Sequence, residues 1–215
     1  MRGMRRSCGL IALALPGLLA GCDGVQSVFT ARSPEAQSVL ALSWVLYVGA
    51  GAIFVGVMGL LAWAVLSRSR PPPVRGTTLI MAGGLVFPAV TLGILLTYSV
   101  VLSSRTVSPP ADDPLRVHVV GHMWWWEVSY EGPDGERIDT ANEIRLPLGR
   151  QASITVTTGD VIHSFWIPNL TGKIDMIPGH VNRIAFTPSE TGVMRGQCAE
   201  YCGLQHTKMA FYAVV

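Results

Sequence analysis

Two cysteines, a histidine and a methionine crowd into one short string, Cys198-Ala199-Glu200-Tyr201-Cys202-Gly203-Leu204-Gln205-His206-Thr207-Lys208-Met209. A further histidine, His163, lies upstream in Asp160-Val161-Ile162-His163-Ser164-Phe165-Trp166. Thiolate, thioether and imidazole form a soft donor set. Such donors favour copper over magnesium, calcium or manganese, and a thioether is a poor zinc ligand. Taken alone, a Cys-x3-Cys pair in an exported protein reads as a disulfide. A disulfide gives no reason for His206 and Met209 to follow at intervals of four and three, so the full set points to copper. A mononuclear blue-copper site uses one Cys, two His and a weak axial Met. The additional cysteine here allows two sulfurs to bridge two copper ions.

The chain that must position these donors has 215 residues, 49% of them hydrophobic and only 14% charged, the composition of a membrane protein. Its charge is asymmetric. Residues 1–105 hold eight Lys/Arg against two Asp/Glu, whereas residues 106–215 hold eight against twelve. The mildly acidic C-terminal half would suit a basic partner. At the N-terminus, Arg2, Arg5 and Arg6 precede the apolar run Gly9 to Ala20, the pattern of an export signal. Leu19-Ala20-Gly21-Cys22 looks like a bacterial lipobox, in which cleavage falls before the cysteine and the cysteine carries lipid. Asp23 resembles an inner-membrane retention signal. Residues 1–21, with Cys8, are thus expected to be a removed signal peptide and Cys22 the lipidated residue. Cys198 and Cys202 would be the only thiols left in the mature protein.

Residues 22–37 read as a short periplasmic linker or surface segment. Ser38 to Ser67 and Gly76 to Ser104 contain no charged residue, and each exceeds the roughly 20 apolar residues that span a bilayer. They predict a transmembrane hairpin over 38–105, with helices at about 39–66 and 77–103, the second kinked at Pro88. Arg68, Arg70 and Arg75 flank Pro71-Pro72-Pro73 between them, which places that loop in the cytoplasm and both the N-terminus and everything after Ser104 on the periplasmic side of a bacterial inner membrane. Thr106 to Pro114 reads as a linker. Beyond it the pattern is β: strands are expected at Leu115–Val120, Ile154–Thr158, Val181–Phe186 and Met209–Val214, with turns at Glu131–Gly135, Thr158–Asp160 and Pro188–Gly192. Short strands at this spacing predict an all-β sandwich or Greek-key barrel over 106–215. No internal repeat or nucleotide-phosphate loop is present in the sequence.

The string from Cys198 to Met209 resembles the binuclear copper A motif of cytochrome c oxidase subunit II. The resemblance extends over a two-helix anchor, an aromatic segment and a cupredoxin-like domain. It implies that Cys198 and Cys202 bridge two coppers, that His163 and His206 each bind one, that Met209 supplies a thioether and that Glu200 supplies its backbone carbonyl. It also implies a magnesium ion at the Glu200 side chain, shared with subunit I. The run Gly121-His122-Met123-Trp124-Trp125-Trp126 resembles the family's aromatic segment, in which Trp124 matches the exposed tryptophan that takes electrons from cytochrome c. Trp125 and Trp126 are expected in core or interface packing, and His118 and His122 as ordinary strand or surface histidines.

Such a subunit passes electrons from cytochrome c to haem a of subunit I. Oxygen reduction at haem a3 and copper B, and proton pumping, belong to subunit I, and subunit III is a further partner. Two departures stand away from the copper motif. His180 replaces the arginine of an Asp-x-Ile-Pro-Gly-Arg stretch, and Met81 and Gly84 replace Glu and Trp upstream of Pro88. The same module could serve a copper A nitric oxide reductase. A membrane-tethered copper chaperone also uses Cys-x3-Cys with a distant His, but on a thioredoxin fold with the cysteines early, at the start of a helix.

Overall fold

A computed structural model describes residues 24–67, 75–106, 111–132 and 134–215. The expected signal peptide, Cys22, Arg68, Arg70, the prolines after them and most of the linker before Ala111 lie outside the described residues. The chain divides into two units: residues 41–107, and a second made of the remainder on either side.

The first unit is helical. Helix α1 spans Pro34–Leu66, and α2 runs from an α-helical turn, Gly76–Leu79, through a π-helical stretch, Ile80–Val86, into α-helical Phe87–Thr106. Both are long and apolar enough to cross a membrane. α1 begins earlier than the apolar run predicts because Ser33 caps it: the Ala36 N–H donates to Ser33 Oγ (3.0 Å), and Pro34 occupies the first helical position. The π-helical stretch ends just before Pro88. Proline has no N–H and its ring presses on the carbonyl four residues back, so the turn ahead of it widens, and the Phe87 N–H reaches Ala82 O. Met81 and Gly84 both lie in this widened stretch.

The β unit holds a five-stranded sheet in the order β3-β2-β1-β5-β8, a three-stranded sheet β4-β10-β9 and a two-stranded ladder β6-β7. The strands are β1 (Leu115–His122), β2 (Trp125–Glu131), β3 (Arg137–Ala141), β4 (Glu143–Arg145), β5 (Ala152–Thr158), β6 (His163–Phe165), β7 (Ile174–Met176), β8 (Asn182–Phe186), β9 (Val193–Gln197) and β10 (Ala210–Val214). β1 pairs parallel with β5 (Val117↔Ile154), and β10 parallel with β4 (Ala213↔Ile144), so both sheets are mixed. Buried and half-buried residues alternate along β1 and β5 with the period of a strand that has one face in a core.

The sheets form a sandwich, and the barrel alternative is not realised. β3 and β8 remain the edges of the larger sheet. Trp126, Phe165 and Phe211 fill the space between the layers, with ring centroids 5.0–6.0 Å apart, and this aromatic filling stacks the sheets face to face. At Gly196 on β9 a Cβ would collide with the Phe211 ring, so the bare backbone there is what admits the ring.

The segment before α1 also belongs to this unit, and of the two expectations, linker or surface segment, it takes the second, bonded to the sandwich. Ser33, Glu35 and Ala36 are buried, and the Arg32 N–H donates to Asn169 O (2.7 Å). Its polar groups bond the sandwich, which a composition-based reading cannot distinguish from bonding water.

Candidate metal centre

The donors arrive on two segments that the sheet topology brings together. His163 opens β6, after the turn that ends β5; Cys198 directly follows β9, and the remaining donors precede β10. Backbone bonds join the segments: Ala199 N–H donates to Ser164 O (3.0 Å), Gln197 N–H to Trp166 O (3.0 Å) and Cys198 N–H to Met209 O (2.9 Å).

This leaves a compact sulfur–nitrogen cluster. The Sγ atoms of Cys198 and Cys202 are 3.7 Å apart, and both thiols are free and buried. His163 Nδ1 lies 3.8 Å from Cys198 Sγ, and His206 Nδ1 lies 3.5 Å from Cys202 Sγ. Met209 Sδ lies 3.7 Å from Cys202 Sγ, and the Glu200 carbonyl 3.1 Å from Cys198 Sγ. His163, Cys198 and Cys202 form the metal-competent group found among the described residues, their donor atoms all within 4.8 Å of one another. Burial pushes the Cys202 thiol up to about 12, with Cys198 beside it adding to the shift. A metal ion reverses that balance, since only the thiolate is a ligand.

The spacing of the donors carries no signal for three supporting groups. Asp160 Oδ1 accepts a hydrogen bond from His163 Nε2 (2.8 Å), which assigns the ring proton to Nε2 and turns the Nδ1 lone pair toward Cys198. Burial alone would raise the Asp160 carboxyl, but bonds from His163 and from the N–H groups of Met123 and Val161 outweigh it and hold it below the usual range. Gly121 on β1 is the second. A Cβ there would stand 2.9 Å from His163 Cδ2 and 3.3 Å from Met176 Cε, so only glycine lets the imidazole lie against the strand. Gly121→Ala should therefore lower stability by about 1–3 kcal/mol, the usual cost of overpacking, read as a lower Tm of the metal-free chain. The third is Lys173, whose ammonium pairs with Asp175 (3.0 Å) and with the Glu200 carboxylate (3.2 Å). These half-exposed pairs raise the Lys173 pKa, the Asp175 bond first and the Glu200 bond second, but are worth little in stability.

Of the aromatic run, Trp126 is fully buried and its ring centroid lies 6.3 Å from that of His163. Trp125 is 39% exposed and stacks on His122 at 4.7 Å. Trp124 is half-buried; its indole N–H donates to Cys202 O (3.1 Å), tying the aromatic segment to the cluster. His118 and His122 pair with Glu131 (2.9 Å) and Glu127 (3.2 Å), as ordinary strand histidines do.

Residues 133–214 match the family model described as cytochrome C oxidase subunit II, periplasmic domain. The crystal structure of the periplasmic domain of subunit II of cytochrome oxidase of Bradyrhizobium japonicum is 32% identical to this chain, with 86% of that domain and 50% of this chain covered and a TM-score of 0.45. Residues 133–214 thus form a cytochrome c oxidase subunit II periplasmic domain. Cytochrome c oxidase subunit 2 of Alkalihalophilus pseudofirmus is 29% identical over 208 residues, covering 90% of this chain and 60% of that protein. The probable cytochrome c oxidase subunit 2 of Streptomyces avermitilis is 28% identical over 236 residues, covering 87% and 73% respectively. The chain thus spans under two thirds of the length of the first of these two relatives. All six donor residues fall within the part matched by the subunit II family model, whereas Trp124 precedes it.

Proposed function

We propose that this chain is the electron-input subunit of a haem-copper terminal oxidase, taking electrons from cytochrome c and passing them to haem a of subunit I. The observation that carries the reading is the pair of free thiols 3.7 Å apart, each beside one imidazole nitrogen. Two sulfurs so placed can be shared between two metal ions, and the donor types suit copper. A copper pair held by these residues would supply a one-electron carrier, with no need for a vacant position at which a substrate binds.

The protein's own groups do the rest. Cys198 and Cys202 would hold the copper pair through their thiolates, His163 and His206 through their imidazoles, and Met209 and the Glu200 carbonyl would complete the donor set. Asp160 holds the His163 tautomer. The backbone bonds between the two donor segments keep the cluster rigid, which keeps reorganisation on electron transfer small. Trp124 receives the electron and conveys it to the Cys202 backbone through its indole N–H. Oxygen reduction at haem a3 and copper B, and proton pumping, take place in subunit I, with subunit III a further partner. The names of the relatives favour oxygen over nitric oxide as the terminal acceptor. Cysteines between two strands of a sandwich do not suit a thioredoxin-fold chaperone.

The Glu200 carboxylate is the side chain we assign to a magnesium ion shared with subunit I; such an ion has to displace the Lys173 ammonium. Residues 1–21 are a signal peptide, Cys22 carries lipid, the hairpin over 38–105 sits in the bacterial inner membrane, and 106–215 faces the periplasm. Mass spectrometry of the mature N-terminus tests this directly: an acylated Cys22 is expected, and an intact Met1 contradicts it.

Copper uptake supplies a further test. At neutral pH the metal must displace the proton on Cys202, so apparent copper affinity should rise with pH, by about tenfold per unit for each thiol proton released. A competition titration against a chelator at several pH values reads this slope. A flat profile would mean that no thiol proton is displaced.

A further inference from the structure

The residues ahead of α1 are tied to both donor-bearing segments of the metal centre. Asn169, fully buried and six residues beyond His163, sends its side-chain N–H groups to Ser27 O (2.9 Å) and Thr30 O (2.8 Å), and its backbone carbonyl accepts from the Arg32 N–H (2.7 Å). Ser33 Oγ donates to Leu170 O. The second donor segment is held as well. β9 pairs with β10 on one side only, and on its other side the Arg195 N–H donates to Val25 O (2.7 Å). Gln26 Nε2 donates to Gln197 Oε1 (2.7 Å), one residue before Cys198. Arg32 fastens the far end: its carbonyl accepts from the Ser189 N–H (2.9 Å) and its guanidinium donates to Thr191 O (3.2 Å). Gly192 has φ +143°, and a Cβ there would collide with the Arg32 guanidinium.

We propose that residues 24–35 form a strap that positions the metal centre, with Asn169 as its key positioning residue, by clamping the His163 segment against the strand that delivers Cys198. The reading of those residues as metal donors is the one proposed above. Two features set the strap apart from a passive surface segment. It covers the Arg195 N–H on the edge of β9 away from β10, which otherwise presents an unpaired backbone donor. It also engages Asn169 through its donors alone, since Asn169 Oδ1 is buried without a partner, a cost retained beside two satisfied carbonyls. Opening the strap releases both donor segments at once, because each is bonded to it independently.

The test compares the metal-free full chain in detergent with Asn169→Asp, Gln26→Ala and Tyr130→Phe by hydrogen–deuterium exchange. Asn169→Asp turns an acceptor toward the carbonyls of Ser27 and Thr30. It should speed exchange about tenfold or more both in 163–171 and in 193–199, leaving the β2–β3 hairpin at its wild-type rate. Gln26→Ala should act more weakly and only in 193–199. Tyr130→Phe removes a bond from the Arg145 N–H (2.6 Å) that links β2 to β4 and touches neither the strap nor a donor segment, and should leave both donor segments unchanged. If Asn169→Asp does not fold, Asn169→Ala gives the same comparison. Wild-type exchange in either donor segment, or equal acceleration throughout the β unit, would overturn the proposal. Copper-loaded Asn169→Asp should also lose metal to a chelator faster than the wild type. A wild-type chain that bound no copper would refute the metal reading, while the exchange comparison would still decide the strap.

Discussion

Cys202→Ser should abolish the two-copper signal of the loaded chain and leave at most one weakly held ion. Cys202 Sγ is the hub of the cluster, 3.7 Å from Cys198 Sγ, 3.5 Å from His206 Nδ1 and 3.7 Å from Met209 Sδ. A serine hydroxyl is a hard donor that stays protonated, so it can neither bridge nor match copper. Cys198→Ser should behave alike, because Cys198 meets His163 and the Glu200 carbonyl. The metal-free variants should still fold, since serine is close to cysteine in shape and the surrounding backbone bonds are untouched. His118→Ala, which disrupts only a surface pair with Glu131, should leave the copper spectrum intact. Metal content and electron paramagnetic resonance on the same samples check all three.

Trp124→Phe should slow reduction by cytochrome c by at least about tenfold, which corresponds to roughly 1.4 kcal/mol on the barrier, while the copper spectrum stays unchanged. The half-buried indole packs toward Gly203 and donates its N–H to Cys202 O. Phenylalanine keeps an aromatic ring near the surface but has no N–H, so the bonded link to the donor loop is lost. Stopped-flow reduction reads the rate and absorption reads the site. A slow rate accompanied by a changed spectrum would show that Trp124 supports the donor loop rather than carrying electrons.

The donor cluster was legible in the sequence because soft ligands at close spacing leave little else to explain them. Cys198, Cys202, His206 and Met209 share one loop, and only His163 had to be brought from elsewhere. The strands were legible for a similar reason: β1, β5, β8 and β10 lie within a few residues of the alternating runs at Leu115, Ile154, Val181 and Met209. Asp160 and Gly121 were not, since their roles depend on the distance from β1 to the His163 ring, which no local pattern encodes. The docking of residues 24–35 escaped for a related reason. Polar residues that bond a sandwich have the composition of polar residues that bond water, although Ser33-Pro34 was a usable helix-start signal. Closure of the sheets into a barrel or stacking into a sandwich depends on how Trp126, Phe165 and Phe211 fill the interior, and strand spacing alone leaves both open.

The most direct test is electron paramagnetic resonance of the full chain, purified in detergent and loaded with copper, alongside its metal content. Two copper ions per chain and a multiline spectrum from one electron shared equally between them are the expected result. One ion per chain with a four-line, single-copper spectrum would contradict the account.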